Sequence, residues 1–247
     1  MRLAPADSLS LDELADTFTA GYEGYLLPMH VDGATMRFFV DAWDLDLARS
    51  RVAVDEDGRV GVAMLGVRGG RGWIGGLGVV PRARRRGVGR RLMEAVLAEA
   101  PPVVRLEVIE ANEPALRLYE ELGFSFVRRL EVWSVEAPAV EARRVEPAPL
   151  RQHDLPWQRA DESLPPDYER WEVDGGAMLL RGSSVLQLEA RDEAAAAALL
   201  SRGKQLRYVN VPERDVASSA LAALGGRLDL RQLELERAQR LTPESVA

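Results

Sequence analysis

The segment RARRRGVGRRL, Arg82 to Leu92, sets six arginines around two glycines in a chain whose formal net charge is −7. Helical spacing begins at once, with Val88, Leu92, Ala95, Val96 and Ala100 on one face. The glycines therefore fall where a helix starts. Free backbone N–H groups and the positive end of the helix dipole converge at such a point. Glycine at 87 and 89 lets an anion approach the backbone without meeting a Cβ. The chemistry this suits is phosphate binding. The loop is not a P-loop, because GxxxxGK[ST] is absent. Nor is it a dinucleotide fingerprint, since Arg90, Arg91 and Leu92 follow Gly87-Val88-Gly89.

Positioning that loop takes a mixed α/β framework. SLDELADTFTAGY opens with Ser10 and Glu13 in capping-box spacing, and GATMRFFVDAW reads as a second helix. RVAVD and RVGVAMLGV flank EDG, a hairpin signal, and GWIGGLGVV is a further strand. After the arginine loop and its helix come the strand PVVRLEV, the helix NEPALRLYEEL and the long strand FSFVRRLEVWSV. The expected order is strand, two helices, three strands, helix, strand, helix, strand. Near Ala137 the segment EAPAVEARRVEPAP, with three prolines, reads as a connector. It divides the chain into domains at 1–137 and 138–247.

Composition narrows the chemistry. With 47% hydrophobic and 29% charged residues, the chain is that of a globular protein. No apolar run approaches the roughly 20 residues a bilayer span needs, and MRLAPADSLS lacks a signal-peptide core. No membrane partner is expected, and cytoplasm is the default location. The chain has no cysteine, which excludes disulfides, thiolate metal sites and a cysteine nucleophile. Two histidines, His30 and His153, make a histidine metal site improbable, and no metal is expected.

The spacing Arg84-x-x-Gly87-x-Gly89 resembles the RxxGxG/A pyrophosphate loop of the GCN5-related N-acetyltransferases (GNAT family). Leu77-Gly78-Val79-Val80-Pro81 resembles that family's fourth strand, and Asn112-x-x-Ala115-x-x-x-Tyr119-x-x-x-Gly123-Phe124 is similar to its second motif. The likeness covers about the first 135 residues and is sharpest from Gly72 to Arg128. It implies an α/β (α+β) fold, a mainly antiparallel mixed sheet flanked by helices. It also implies acetyl-CoA as cofactor. The pyrophosphate would rest on the amides of Arg85, Arg86, Gly87, Val88, Gly89 and Arg90. The pantetheine would run along the fourth strand at Leu77 and Val79, with that strand splayed from the fifth. Gly75-Gly76 suits the irregular backbone this requires.

The same resemblance implies N-acetyl transfer to a primary amine, by direct attack in a ternary complex. Val79 N–H would stabilise the oxyanion and Tyr119 would protonate the departing thiolate. Spacing alone also allows Tyr119 to be a core aromatic, since Leu116, Tyr119 and Leu122 share a helix face. Asn112 suits a helix N-cap as well as a cofactor contact. GWIGGLGVV carries no carboxylate, so the candidate base moves to Glu107 on the next strand; the alternatives are a pair with Arg105 on the same face, or a water chain. Tyr22, Glu23, Tyr25 and His30 would lie at the acceptor side. Two other classes of function stand beside the enzyme: a non-catalytic acyl-CoA sensor, and a nucleic-acid-binding protein. Against the latter, the basic cluster is confined to one loop of an acidic chain and holds no aromatic residue. Nothing in the sequence chooses between monomer and homodimer.

The C-terminal half reads as a second, smaller GNAT-like domain. RRVEPAPL suggests a strand and HDLPWQRADESL a short helix. AMLLRG and SVLQLEA form a hairpin, RDEAAAAALLSRG a helix, and a strand–helix–strand series completes it. Its first long helix is entered through Glu189-Ala190-Arg191-Asp192, with acids where phosphates would sit. Counted from Asn210, the position matching Tyr119 is Ala217. The expectation is a fold copy that binds no cofactor, packs on the first domain and closes one side of the acceptor pocket.

Overall fold

The fold comes from a computed structural model that describes residues 1–27 and 29–239. The chain forms two compact units. Of the described residues, one unit comprises 1–27, 29–108, 112–126 and 235–239; the other comprises 109–111 and 127–234. The elements are β1 (Arg2–Pro5), α1 (Leu11–Gly21), α2 (Gly33–Ala42), β2 (Arg51–Asp55), β3 (Gly58–Arg68), β4 (Arg71–Val79), α3 (Val88–Leu97), β5 (Val103–Ile109), α4 (Glu113–Glu121) and β6 (Ser125–Glu136). There follow β7 (Arg143–Val145), β8 (Glu169–Val173), β9 (Gly176–Arg181), β10 (Ser184–Ala190), α5 (Glu193–Leu200), β11 (Gln205–Pro212), α6 (Val216–Ala223) and β12 (Arg227–Ala238). Both β6 and β12 divide between the units. Val127–Glu136 of β6, assigned to the first domain by the sequence reading, lies in the second unit.

In the first unit the strands run β1-β2-β3-β4-β5, antiparallel except for β4–β5. Residues Val60 to Gly66 of β3 are buried without a break, the pattern of a strand covered on both faces. Helices α1 and α3 both pack on β3 and β4. Local chemistry sets the helix starts. Ser10 Oγ accepts from Glu13 N–H at 3.2 Å while Glu13 Oε2 accepts from Ser10 N–H at 3.0 Å, the capping box the sequence predicts. Asp32 caps α2 through Thr35 N–H at 2.7 Å, and Asn112 caps α4 through Ala115 N–H at 3.3 Å.

The parallel pairing is short. It runs from Arg71–Val103 to Ile74–Leu106 and stops, although β4 continues to Val79 and β5 to Ile109. A β-bulge lies at the same point: Leu65 pairs with Ile74 and Met64 with Gly76, which leaves Gly75 as the extra residue. The bulge bends β4 away, and the two strands diverge.

The second unit repeats this plan. Strands β12-β6-β11-β10-β9-β8-β7 form its sheet, with α5 against α6 and a core that includes Trp133, Met178, Leu199, Tyr208 and Leu221. A bulge in β10 leaves Leu186 unmatched, since Leu180 pairs with Val185 and Leu179 with Gln187. The parallel β10–β11 pairing ends there too, at Val185–Tyr208. Two sequence expectations need correction. HDLPWQRADESL forms two 3-10 turns, Trp157–Arg159 and Asp161–Ser163, because Ala160 between them is extended (φ −61°, ψ 155°). Asn210 lies within β11 and does not lead a helix; Asp215 caps α6 through Ala217 N–H at 2.8 Å.

Candidate functional site

A cavity of about 790 Å³ opens beside the outer half of β4, past its last pair with β5 and wholly within the first unit; Glu107 is not among its lining residues. Its lining comes from the end of α1 and the following loop (Tyr22, Tyr25), from β4 (Leu77, Val79), from the arginine loop and from α4. The loop ends at the start of α3, where Arg91 N–H makes the first i→i−4 bond to Gly87 O at 3.1 Å. The N–H groups of Val88, Gly89 and Arg90 therefore precede any intrahelical partner. Gly87 has φ 77° and Arg85 φ 63°, so left-handed residues alternate along the loop and turn its amides to one side.

Of the residues expected to hold phosphate, Arg84, Arg85, Gly87, Val88, Gly89 and Arg90 border the cavity. The Arg84 side chain has another task. Its Nε donates to Val79 O at 2.8 Å, and its terminal nitrogen donates to Gly21 O at 3.2 Å and to Glu23 O. It ties the loop to β4 and to the end of α1. Arg90 pairs with Glu121 across the mouth. Arg86 borders a different hollow, with Asp55, Glu56 and Asp57. Arg82 is bound by Asp55 at 2.9 Å and Asp57 at 3.3 Å, a bond that lowers the Asp55 pKa. Only part of the positive charge in this segment thus addresses the cavity.

Tyr22 and Tyr25 line the cavity, whereas Tyr119 is not among its lining residues. Tyr22 Oη accepts from Leu77 N–H, which opposes the upward push of burial on its pKa. Tyr25 Oη accepts from Asn112 Nδ2 at 3.3 Å, so Asn112 both caps α4 and fixes a cavity-lining ring. Tyr119 is buried, 6% exposed, with its ring against Phe124. Burial, with Tyr22 and Tyr25 nearby, drives its pKa far above the ordinary phenol value. Tyr22 stacks on Phe18 at 4.6 Å, and the aromatic series continues through Phe39 and Trp43 to Trp73. Trp73 ends it by donating Nε1–H to Glu107 Oε2 at 2.7 Å. Glu107 is the first residue of β5 past the last parallel pair, so it stands where the strands part. Arg105 Nε donates to Glu236 Oε2 at 2.7 Å. Glu23 and His30 are exposed on the loop after α1. The Trp73–Glu107 bond escapes sequence reasoning; the only signal is a tryptophan two residues before the glycine pair.

Residues 12–124 match the Acetyltransferase (GNAT) family. A segment of 94 residues is 32% identical to the peptidyl-lysine N-acetyltransferase YiaC of Escherichia coli (strain K12), covering 35% of this chain and 62% of that protein. The chain thus spans less than two thirds of that curated relative. Over the whole chain the fold is similar to a GCN5-related N-acetyltransferase from Sphaerobacter thermophilus (TM-score 0.68, 18% identity, 96% of this chain and 94% of that one). It is also similar to one from Kribbella flavida (TM-score 0.56, 21% identity, 96% and 71%). Among the described residues no helix is long and apolar enough to cross a membrane, and no cluster of His, Asp or Glu suits a metal ion.

Proposed function

We propose that the chain is an acetyltransferase of the GNAT family through residues 12–124 and that it transfers the acetyl group of acetyl-CoA to a primary amine. The observation that carries this reading is that the outer half of β4, free of β5 after Ile74, lines one cavity together with the amide-rich start of α3. A long ligand with an anionic end fits that arrangement. Amides of the loop from Arg85 to Arg90 hold its pyrophosphate at the positive end of the helix dipole. Leu77 and Val79, on the free side of β4, line its extended arm. Acetyl-CoA supplies an activated acetyl group as a thioester.

The protein's own groups then need to move one proton in and one out. Glu107 accepts the proton that the attacking amine sheds. Val79 N–H steadies negative charge on the acetyl oxygen. Tyr119 keeps its proton at neutral pH because burial disfavours tyrosinate, and it offers that proton to the departing sulfur. With no cysteine in the chain, transfer goes directly from donor to amine.

The acceptor is cationic. From Asp7 to Asp46, across α1 and α2, there are nine carboxylates against a single arginine, Arg37. Such a field concentrates ammonium groups, and the aromatic rings of Tyr22 and Tyr25 suit them at short range. A lysine side chain in a peptide is the first acceptor to try, because the curated relative is a peptidyl-lysine N-acetyltransferase. The deciding experiment measures free coenzyme A released from acetyl-CoA with lysine peptides, peptide N-termini, polyamines and aminoglycosides. Release with any of them supports an enzyme. Tight acetyl-CoA binding without release from the whole panel indicates a sensor, and no binding sinks the cofactor assignment.

A further inference from the structure

GNAT chemistry needs a base, and the strand beside the cavity carries no carboxylate between Arg71 and Val79. We propose that Trp73 is a positioning residue that holds Glu107 ionised and aimed at the gap between β4 and β5. This rests on the reading of Glu107 as the base. Trp73 is 2% exposed, and its indole N–H lies 2.7 Å from Glu107 Oε2. A donor on a carboxylate favours the charged form and fixes its direction, so the bond both orients Glu107 and favours its ionised state.

The bulge makes room for this. A Cβ on Gly75 would stand 2.7 Å from Cζ3 of Trp73 and 3.0 Å from Leu45. Distances below 3.0 Å require something to shift, and here the neighbour is a ring locked by Trp43 at 5.6 Å. Gly75 is thus the space into which the indole folds on its way from β4 to Glu107 on β5. The same glycine is the extra residue that turns β4 away from β5. One position both opens the gap and seats the ring that orients its carboxylate.

Other charges bear on Glu107. Arg105 shares its face two residues back on β5. Glu236, from the end of β12, binds Arg105 at 2.7 Å, and Arg71 of β4 approaches Glu236 at 3.8 Å. On the helix side, Asp44 pairs with Arg68 at 2.7 Å. All of these charged groups remain when the indole is replaced, so the comparison is made at constant charge.

The test compares the intact chain with Trp73→Phe and Gly75→Ala. One arm titrates the side-chain carboxyls by 13C NMR in the free protein, with Glu107→Gln assigning the signal. The other follows coenzyme A release from acetyl-CoA and a lysine peptide against pH. In Trp73→Phe the Glu107 carboxyl should titrate about one pH unit higher. The acidic limb of kcat should move up equally, with the KM for acetyl-CoA unchanged. Gly75→Ala keeps the indole but displaces it, so it should shift both in the same direction; if Trp73→Phe does not fold, this variant decides. A lower melting temperature with an unmoved carboxyl and an unmoved limb overturns the proposal, since the indole then only packs. If no acceptor is turned over, the catalytic reading fails, and the NMR arm still decides whether Trp73 sets the state of Glu107.

Discussion

Gly21 at the end of α1 and Gly78 in β4 lie backbone to backbone: a Cβ on Gly21 would stand 2.9 Å from both Cα and C of Gly78. The neighbour is main chain, which cannot swing aside as a side chain could. This close approach sets Tyr22 over Leu77 and brings Gly21 O within 3.2 Å of Arg84. Gly21→Ala should therefore destabilise the fold by about 1–3 kcal/mol, the usual cost of overpacking. Urea unfolding of the two proteins measures it. A change within error would mean that α1 can lift from β4 freely.

The phosphate loop depends on backbone conformation at one glycine more than the other. Gly87 has φ 77°, and nothing lies within 4 Å of where its Cβ would be. The obstacle to a side chain there is the left-handed backbone, which costs a β-branched residue on the order of 1–3 kcal/mol. At Gly89 a Cβ would meet Leu118, Leu77 and Val79 at 3.7–3.8 Å, ordinary contact. Gly87→Val should abolish acetyl-CoA binding by reorienting the amides at Val88 and Gly89, with the far-ultraviolet circular dichroism retained. Gly89→Ala should fold normally and bind with a smaller loss. Calorimetric titration separates them, and equal affinity in Gly87→Val would remove the loop from the cofactor site.

How far the sequence reveals this site depends on the range of the interaction concerned. Ser10 with Glu13, Asn112 with Ala115 and the turn after Asp55 are local, and their residue types announce them. The Trp73–Glu107 bond joins residues 34 apart, through a parallel register that no pattern within either strand encodes. Strand β8, ERWEV, escapes notice because charges alternate with Trp171 and Val173 and give it no apolar run; its place follows from pairing with β7 and β9. The division of β6 between units is likewise a matter of nonlocal pairing. Val127–Glu136 reads as the end of the first domain until its antiparallel register with β11, Leu130 on Pro212 to Glu136 on Gln205, is known. The arginine loop sits between these extremes. Its glycines report the backbone, while which arginine faces the cavity depends on Asp55, Asp57 and Glu121 from other elements.

Tyr119 gives a prediction with a definite sign. Burial raises its pKa, so it remains protonated through the neutral range and above the ordinary phenol value near 10. A proton donor that never ionises in the assay range contributes no alkaline limb. Rate against pH should then run flat on the alkaline side up to about pH 10, apart from the acceptor amine's own titration. Tyr119→Phe should lower kcat by about 10²–10⁴-fold at every pH, without changing the shape of the profile or the affinity for acetyl-CoA. A loss under roughly tenfold would return Tyr119 to the role of a packed aromatic against Phe124.

The second unit repeats the bulge and the short parallel pairing, and registering it on the first shows why it should bind no acetyl-CoA. Val185 before the bulge in β10 pairs with Tyr208, as Ile74 before the bulge in β4 pairs with Leu106. Glu107 then corresponds to Val209, which carries no base. Gln187 and Leu188 correspond to Gly76 and Leu77, and their surroundings are already filled. Leu188 O accepts from Gln152 at 2.7 Å, and the buried Arg159 lies over the Tyr208 ring and donates to Asn210 O at 2.8 Å. Burial pushes the Tyr208 pKa up to about 12, so its hydroxyl stays in that network. The start of α5 is occupied as well: Asp192 accepts from Ala195 N–H at 2.9 Å, and that bond, with Arg191, lowers its pKa and keeps a negative charge where the first unit offers bare amides. Counted from the cap Asp215, the position matching Tyr119 is Ala222, not Ala217, and neither can donate a proton. Calorimetry on the whole chain should therefore give one acetyl-CoA per molecule. Cutting the chain at residue 143 is a poor test, because Val127–Glu136 belongs to the second unit. Gly87→Val in the whole chain serves better: stoichiometry should fall from one to zero, and a residual site of similar affinity would place a working cofactor cleft in the second unit.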